Sequence, residues 1–136
     1  MNPEELKART QSFRLRIIRL DSALPRDPAA RVIGRQVLRS GTSVGANYRA
    51  ACRAKSRADS AAKIAIVEEE VDETLYWLEV LIKSGLVKAE RLQHLIKETE
   101  ELVAIVSASR KTVRRHLSGP REQQPARVNR QSTIDN

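Results

Sequence analysis

Residues 39–49 read R-S-G-T-S-V-G-A-N-Y-R, with Gly41 and Gly45 set in a run of small polar side chains. Two readings compete for this stretch. A glycine-rich loop that cradles a phosphate would imply a nucleotide-using enzyme, whereas a helix would imply a bundle. A phosphate loop needs G-x-x-x-x-G-K-[ST] after a buried strand. No lysine follows Gly45, no strand pattern precedes Gly41, and G-x-G-x-x-G is absent. The helical reading is tested by stepping about 100° per residue from Arg31. Ile33, Val37, Val44, Tyr48 and Ala51 then share an apolar sector, and Gly34, Gly41, Gly45 and Cys52 form a narrow strip beside it. Arg31, Arg35, Arg39, Arg49, Arg53 and Arg57 gather in a third sector. One assumption sorts the residues into three coherent faces, so residues 28–55 are read as one rod.

Glycine inside a helix costs about 1 kcal/mol relative to alanine, so the strip needs a reason. Removing Cβ lets a neighbouring backbone come close, as small-x-x-x-small spacing does elsewhere. Gly34, Gly41 and Gly45 are therefore candidates for tight helix packing, within the bundle or between subunits. The competing reading is a local kink.

Working outward, residues 3–24 place Leu6, Phe13, Ile17, Leu20 and Leu24 at helical spacing. Pro25 and Pro28 end that element, and Asp27 with Pro28 starts the next. A third helix is expected from Ser56 to Ser84, with Ser56 and Asp59 as a variant capping box and Gly85 as the stop. Its core face carries Ile64, Val67, Val71, Leu75, Leu78, Leu81 and Ile82. A fourth helix is expected over 88–117, with Lys111, Arg114 and Arg115 complementing the dipole at its end. Residues 118–136 lack apolar periodicity and are read as a disordered basic and polar tail. The fold class is all-α: an antiparallel up-down four-helix bundle domain over 1–117.

The third helix has a second sector of Ile66, Glu69, Glu73, Tyr76, Trp77 and Val80. Aromatic residues outside the main stripe suggest burial against another chain. Glu73, Tyr76 and Trp77 are thus candidates for an oligomer interface, the alternative being that Trp77 edges the monomer core. Neither His94 nor His116 has a glutamate three residues before it, as a di-iron bundle would require, so no metal or other cofactor is expected. H-E-x-x-H and G-x-S-x-G are absent, and Cys52 on the glycine strip reads as a packed small residue. The chain is read as non-enzymatic.

Formal net charge is +8, and the excess is local. Residues 26–57 hold eight bases against one acid, while residues 58–84 hold two bases against seven acids. Pairing between these regions would consume some arginines, but exposed pairs contribute only about 0–1 kcal/mol each. Arginine forks match phosphate oxygens bidentately, so Arg31, Arg35, Arg39, Arg49, Arg53 and Arg57 are candidate nucleic-acid contacts. Aromatics make up only 3% of the chain, which disfavours base stacking and favours a structured RNA read by backbone and shape. The lone cysteine points to a reducing compartment, and no apolar run approaches the roughly 18 residues that span a bilayer. A cytoplasmic protein without membrane contact is expected.

The run S-G-T-S-V-G-A-N-Y-R-A-A-C-R-A from Ser40 to Ala54, and E-V-D-E-T-L-Y-W-L from Glu70 to Leu78, resemble the paired signatures of a family of small bacterial four-helix bundle proteins. That family was first noticed as products of intervening sequences in large ribosomal RNA genes, and the resemblance spans residues 5–117. It implies assembly into a ring-shaped homo-oligomer, a pentamer in relatives. The family also includes accessory variability proteins of diversity-generating retroelements, which bind a reverse transcriptase and its template RNA. By that likeness Arg35, Arg39, Arg49 and Arg53 would be contacts, and a reverse transcriptase a further partner. The contrasting reading is an oligomeric protein scaffold without nucleic-acid binding.

Overall fold

The computed structural model describes residues 1–117. Four helices follow one another: α1 (Pro3–Ala23), α2 (Pro28–Cys52), α3 (Arg57–Lys83) and α4 (Ala89–Leu117). Among the described residues there is no strand. The tail expected over 118–136 lies outside the described residues.

Helices α1, α2 and α3 each start on a side-chain cap. Asn2 Oδ1 accepts from the Glu5 N–H at 2.9 Å, and Asp27 accepts from Ala29 and Ala30 N–H at 2.9 and 3.1 Å. Ser56 Oγ accepts from the Asp59 N–H at 3.0 Å. The return half of that capping box is displaced, since the Asp59 carboxylate takes the Lys55 N–H instead. Gly85 ends α3 at φ +78°, a left-handed conformation that a side chain would strain.

Consecutive helices pack side by side, the α2–α3 contact being the most extensive. Antiparallel register along the α1–α2 seam follows from the glycines. A Cβ built on Gly34 would meet Leu24 and Asp21, one on Gly41 would meet Ile17, and one on Gly45 would meet Thr10. The strip therefore serves contact within one chain, and α2 runs unbroken through positions 41–45.

The core is aliphatic. Phe13, Ile17, Val44, Val67, Val71, Leu78, Leu81 and Leu102 are fully buried. Polar atoms enter it in a paired way. Thr74 Oγ1 lies 2.9 Å from Ser40 Oγ and 2.7 Å from the Glu70 carbonyl, joining α2 to α3. Thr74 occupies a central place on α3, and the predicted core residues Leu75 and Ile82 are only half-buried. The α1–α4 seam is held by charge: Arg9 forks onto Glu98 at 2.9 and 2.7 Å and also reaches Glu101.

Candidate nucleic-acid interface

The predicted arginine line divides into three groups. Arg31 and Arg35 stand exposed near the start of α2, and Arg49 and Arg53 near its end. None of these four has an ion pair among the described residues. Arg39 is different. It points to α3, where Glu70 lies 3.3 Å from Nη1 and Glu73 binds Nη2. Those hydrogen bonds, Glu73 first, raise its pKa above the ordinary arginine value.

Arg57 stands apart from the α2 arginines. The rod stops at Cys52, and Arg53 is its cap at φ −101°, ψ 10°, donating to the Arg49, Ala50 and Ala51 carbonyls. Ser56 then caps α3, so Arg57 opens the next helix. A chain that must reverse direction needs residues 53–56 for the turn, and the six guanidinium groups do not form one row. Cys52 is likewise exposed rather than packed on the glycine strip. It neighbours Tyr48, whose phenol is pushed above its ordinary value by burial and by the hydrogen bond with Cys52.

What the structure brings together is a cleft of about 550 Å³ between α1 and α2. Its walls carry Lys7 and Arg14 from α1 opposite Arg49 and Arg53, with Thr10, Gln11, Gly45 and Ala46 between them. No carboxylate lines it. At Gly45 an added Cβ would stand only in ordinary contact with Thr10, at 3.4 Å. Lys7 is drawn partly aside by exposed Glu4 at 2.9 Å, but Arg14, Arg49 and Arg53 are unpaired.

Lys7 and Arg14 were missed in the sequence, where the first helix was read only for its apolar stripe. The signal was present, because seven residues nearly complete two turns and so set both cations on one flank.

The predicted interface trio also has a definite geometry. Trp77 is half-buried against the core edge, and its Nε1 donates to Glu73 Oε2 at 3.1 Å. Glu73 is thereby shared between Arg39 and Trp77, and its carboxyl is held below the usual range by Arg39 first and Trp77 second. Tyr76 stands exposed, edge-on to Trp77 at a centroid distance of 4.9 Å.

Among the described residues no cluster of His, Cys, Asp and Glu could hold a metal ion, and no helix is long and apolar enough to cross a membrane.

A four-helix bundle with a basic α1–α2 face defines the class. The sequence matches the 23S rRNA-intervening sequence protein family over residues 4–108, and the chain belongs to that family. It is similar to a crystallised protein of unknown function from the S23 ribosomal protein family of Bacteroides thetaiotaomicron VPI-5482. The two share 35% identity and a TM-score of 0.76 over 82% of this chain and 99% of that one. No curated protein matches the chain.

Proposed function

We propose that this chain is a non-enzymatic, homo-oligomeric RNA-binding bundle whose α1–α2 face grips the phosphate backbone of a structured RNA. The observation that carries the reading is the cleft in which Lys7, Arg14, Arg49 and Arg53 face one another without a carboxylate. Like charges brought together across two helices repel, and stability gives no reason to keep them there. A phosphate chain supplies the missing counter-charge, and arginine forks suit its oxygens. Arg31 and Arg35 extend the basic face along α2. Arg39 is left out of the contact set because Glu70 and Glu73 already hold it. The scaffold reading accounts for Arg39 but leaves the other four α2-side arginines unexplained.

The test is a titration of a folded RNA hairpin across a salt series. With about six phosphates neutralised, affinity falls on the order of a thousandfold between 50 and 200 mM salt. Arg14→Glu with Arg49→Glu weakens binding and flattens the salt slope, while Arg39→Gln leaves both unchanged. A flat wild-type salt response, or full affinity in the double variant, rejects the reading.

A further inference from the structure

A second cleft, of about 660 Å³, opens between the end of α1 and the start of α4, away from the α1–α2 face. Its floor is aliphatic: Leu20, Leu24, Leu86, Val87, Leu92 and Leu95. Its rim is cationic, with Arg16 and Arg19 from α1, Lys88 from the turn before α4 and Arg91 from α4, and no acid lines it. We propose that this cleft binds a single-chain amphipathic anion, an aliphatic tail lying over the leucines with its anionic head held by the Arg19, Lys88 and Arg91 side.

Three observations select that chemistry. The first is charge placement. Lys88 precedes α4 and Arg91 lies in its opening turn, at the helix end whose dipole is already positive, with Glu90 the acidic residue of that turn. Helix stability disfavours cations there, whereas a bound anion favours them. Arg19, Lys88 and Arg91 have no ion pair among the described residues, and Arg16 is partly compensated by Glu98, whose carboxyl it helps to hold down.

The second is the floor. Leu20, Leu24, Leu86 and Val87 are only half-buried although they pack against the core cluster. The seam above them is open because α1 and α4 are joined through the Arg9 clasp, with few backbone approaches between them. Gly85 and the turn behind it close one end, where the Val87 N–H donates to the Leu81 carbonyl at 3.2 Å.

The third is size. The lining runs from Arg16 to Pro25 on one side and Lys88 to Leu95 on the other, roughly 10–14 Å of wall. With its volume, that suits a small ligand; pockets for such molecules span about 300–1,000 Å³. A phosphate backbone would leave the leucine floor uncovered, and an apolar molecule would leave the rim cations without a counter-charge.

Isothermal titration with decanoate and with decyl phosphate, both below their aggregation concentrations, tests the proposal alongside leucine and valine methyl NMR shifts. Saturable binding is expected, with shifts at Leu20, Leu24, Leu86, Val87 and Leu92. Lys88→Glu with Arg91→Glu weakens it about tenfold or more, because charge-assisted contacts are lost. Both residues are exposed, so the helical circular dichroism of the variant should match wild type. If that variant does not fold, Arg19→Glu reads the same loss. Equal binding of decylammonium, equally tight binding of inorganic phosphate, or shifts confined to other helices overturns the proposal. So does a preference for an acidic amphipathic peptide over both alkyl anions. The hairpin titration above is unaffected by Lys88→Glu with Arg91→Glu if the two clefts are separate sites.

Discussion

Gly41 sits against Ile17 so closely that an added Cβ would stand 2.8 Å from Ile17 Cγ1 and 2.9 Å from Cγ2. Ile17 is fully buried and branched at Cβ, so it has no free rotamer into which to retreat. Gly45 meets Thr10 at 3.4 Å, an ordinary contact. Two glycines of one strip therefore respond oppositely to the same change. Gly41→Ala loses about 0.5–2 kcal/mol after the helix-propensity gain is set against overpacking, and Gly41→Leu loses more. Gly45→Ala is neutral or gains up to about 1 kcal/mol. Urea unfolding of the three variants checks the contrast, and equal losses at both positions would contradict the packing account.

The Arg9–Glu98 fork supplies a pH signature. Glu98 lies below the ordinary carboxyl value of 4.5, held there first by its hydrogen bond with Arg9. A carboxyl depressed on folding contributes stability that is complete above its unfolded pKa and is lost as pH falls through the folded one. Glu98→Gln should therefore cost about 1–2 kcal/mol at neutral pH, toward the low end because solvent reaches the pair. The gap between variant and wild type should close as pH drops below the ordinary carboxyl range. Unfolding curves at neutral and acid pH measure it, and a gap independent of pH counts against the fork.

The helices were legible from local signals: Asp27 and Ser56 as caps, Pro28 after the cap of α2, Gly85 as stop, and aliphatic spacing of three and four. The glycine strip was legible as a packing surface, though not its partner, because projection of one helix says nothing about which neighbour approaches. The arginine sector was legible only in part, for a related reason. Projection of one helix could not show that Arg39 leans to α3. Nor could periodicity place Thr74 and Ser40 in the core, since a hydroxyl is buried only where another helix offers it a partner.

That hydroxyl pair gives a coupling prediction. Ser40 Oγ lies 2.8 Å from the Gln36 carbonyl as well as 2.9 Å from Thr74 Oγ1, and Thr74 has the Glu70 carbonyl on its other side. Each hydroxyl keeps a local acceptor if the other is removed. Ser40→Ala and Thr74→Val should each cost about 0.5–1.5 kcal/mol, and the double variant less than their sum. A double-mutant cycle in urea reads this, and strict additivity would separate the two residues.

Tyr76 is 57% exposed and Ile66 38%, on a helix whose other large apolar residues are buried or half-buried. Trp77 behind it is fastened by Glu73, and Glu73 by Arg39, so the aromatic edge is held rigid before any partner arrives. Rigid aromatic anchors of this kind suit an interface core. Under the proposed homo-oligomer, wild type sediments at a multiple of its 15.3 kDa chain mass. Tyr76→Glu shifts it to the monomer while the helical signal is kept, because that side chain contributes little to the bundle itself. Trp77→Ala should both weaken assembly and destabilise the fold, since it removes packing at the core edge together with a hydrogen bond. Analytical ultracentrifugation with parallel urea unfolding separates the two effects. A monomeric wild type would remove the interface, and an assembled, stable Tyr76→Glu would move it to another face.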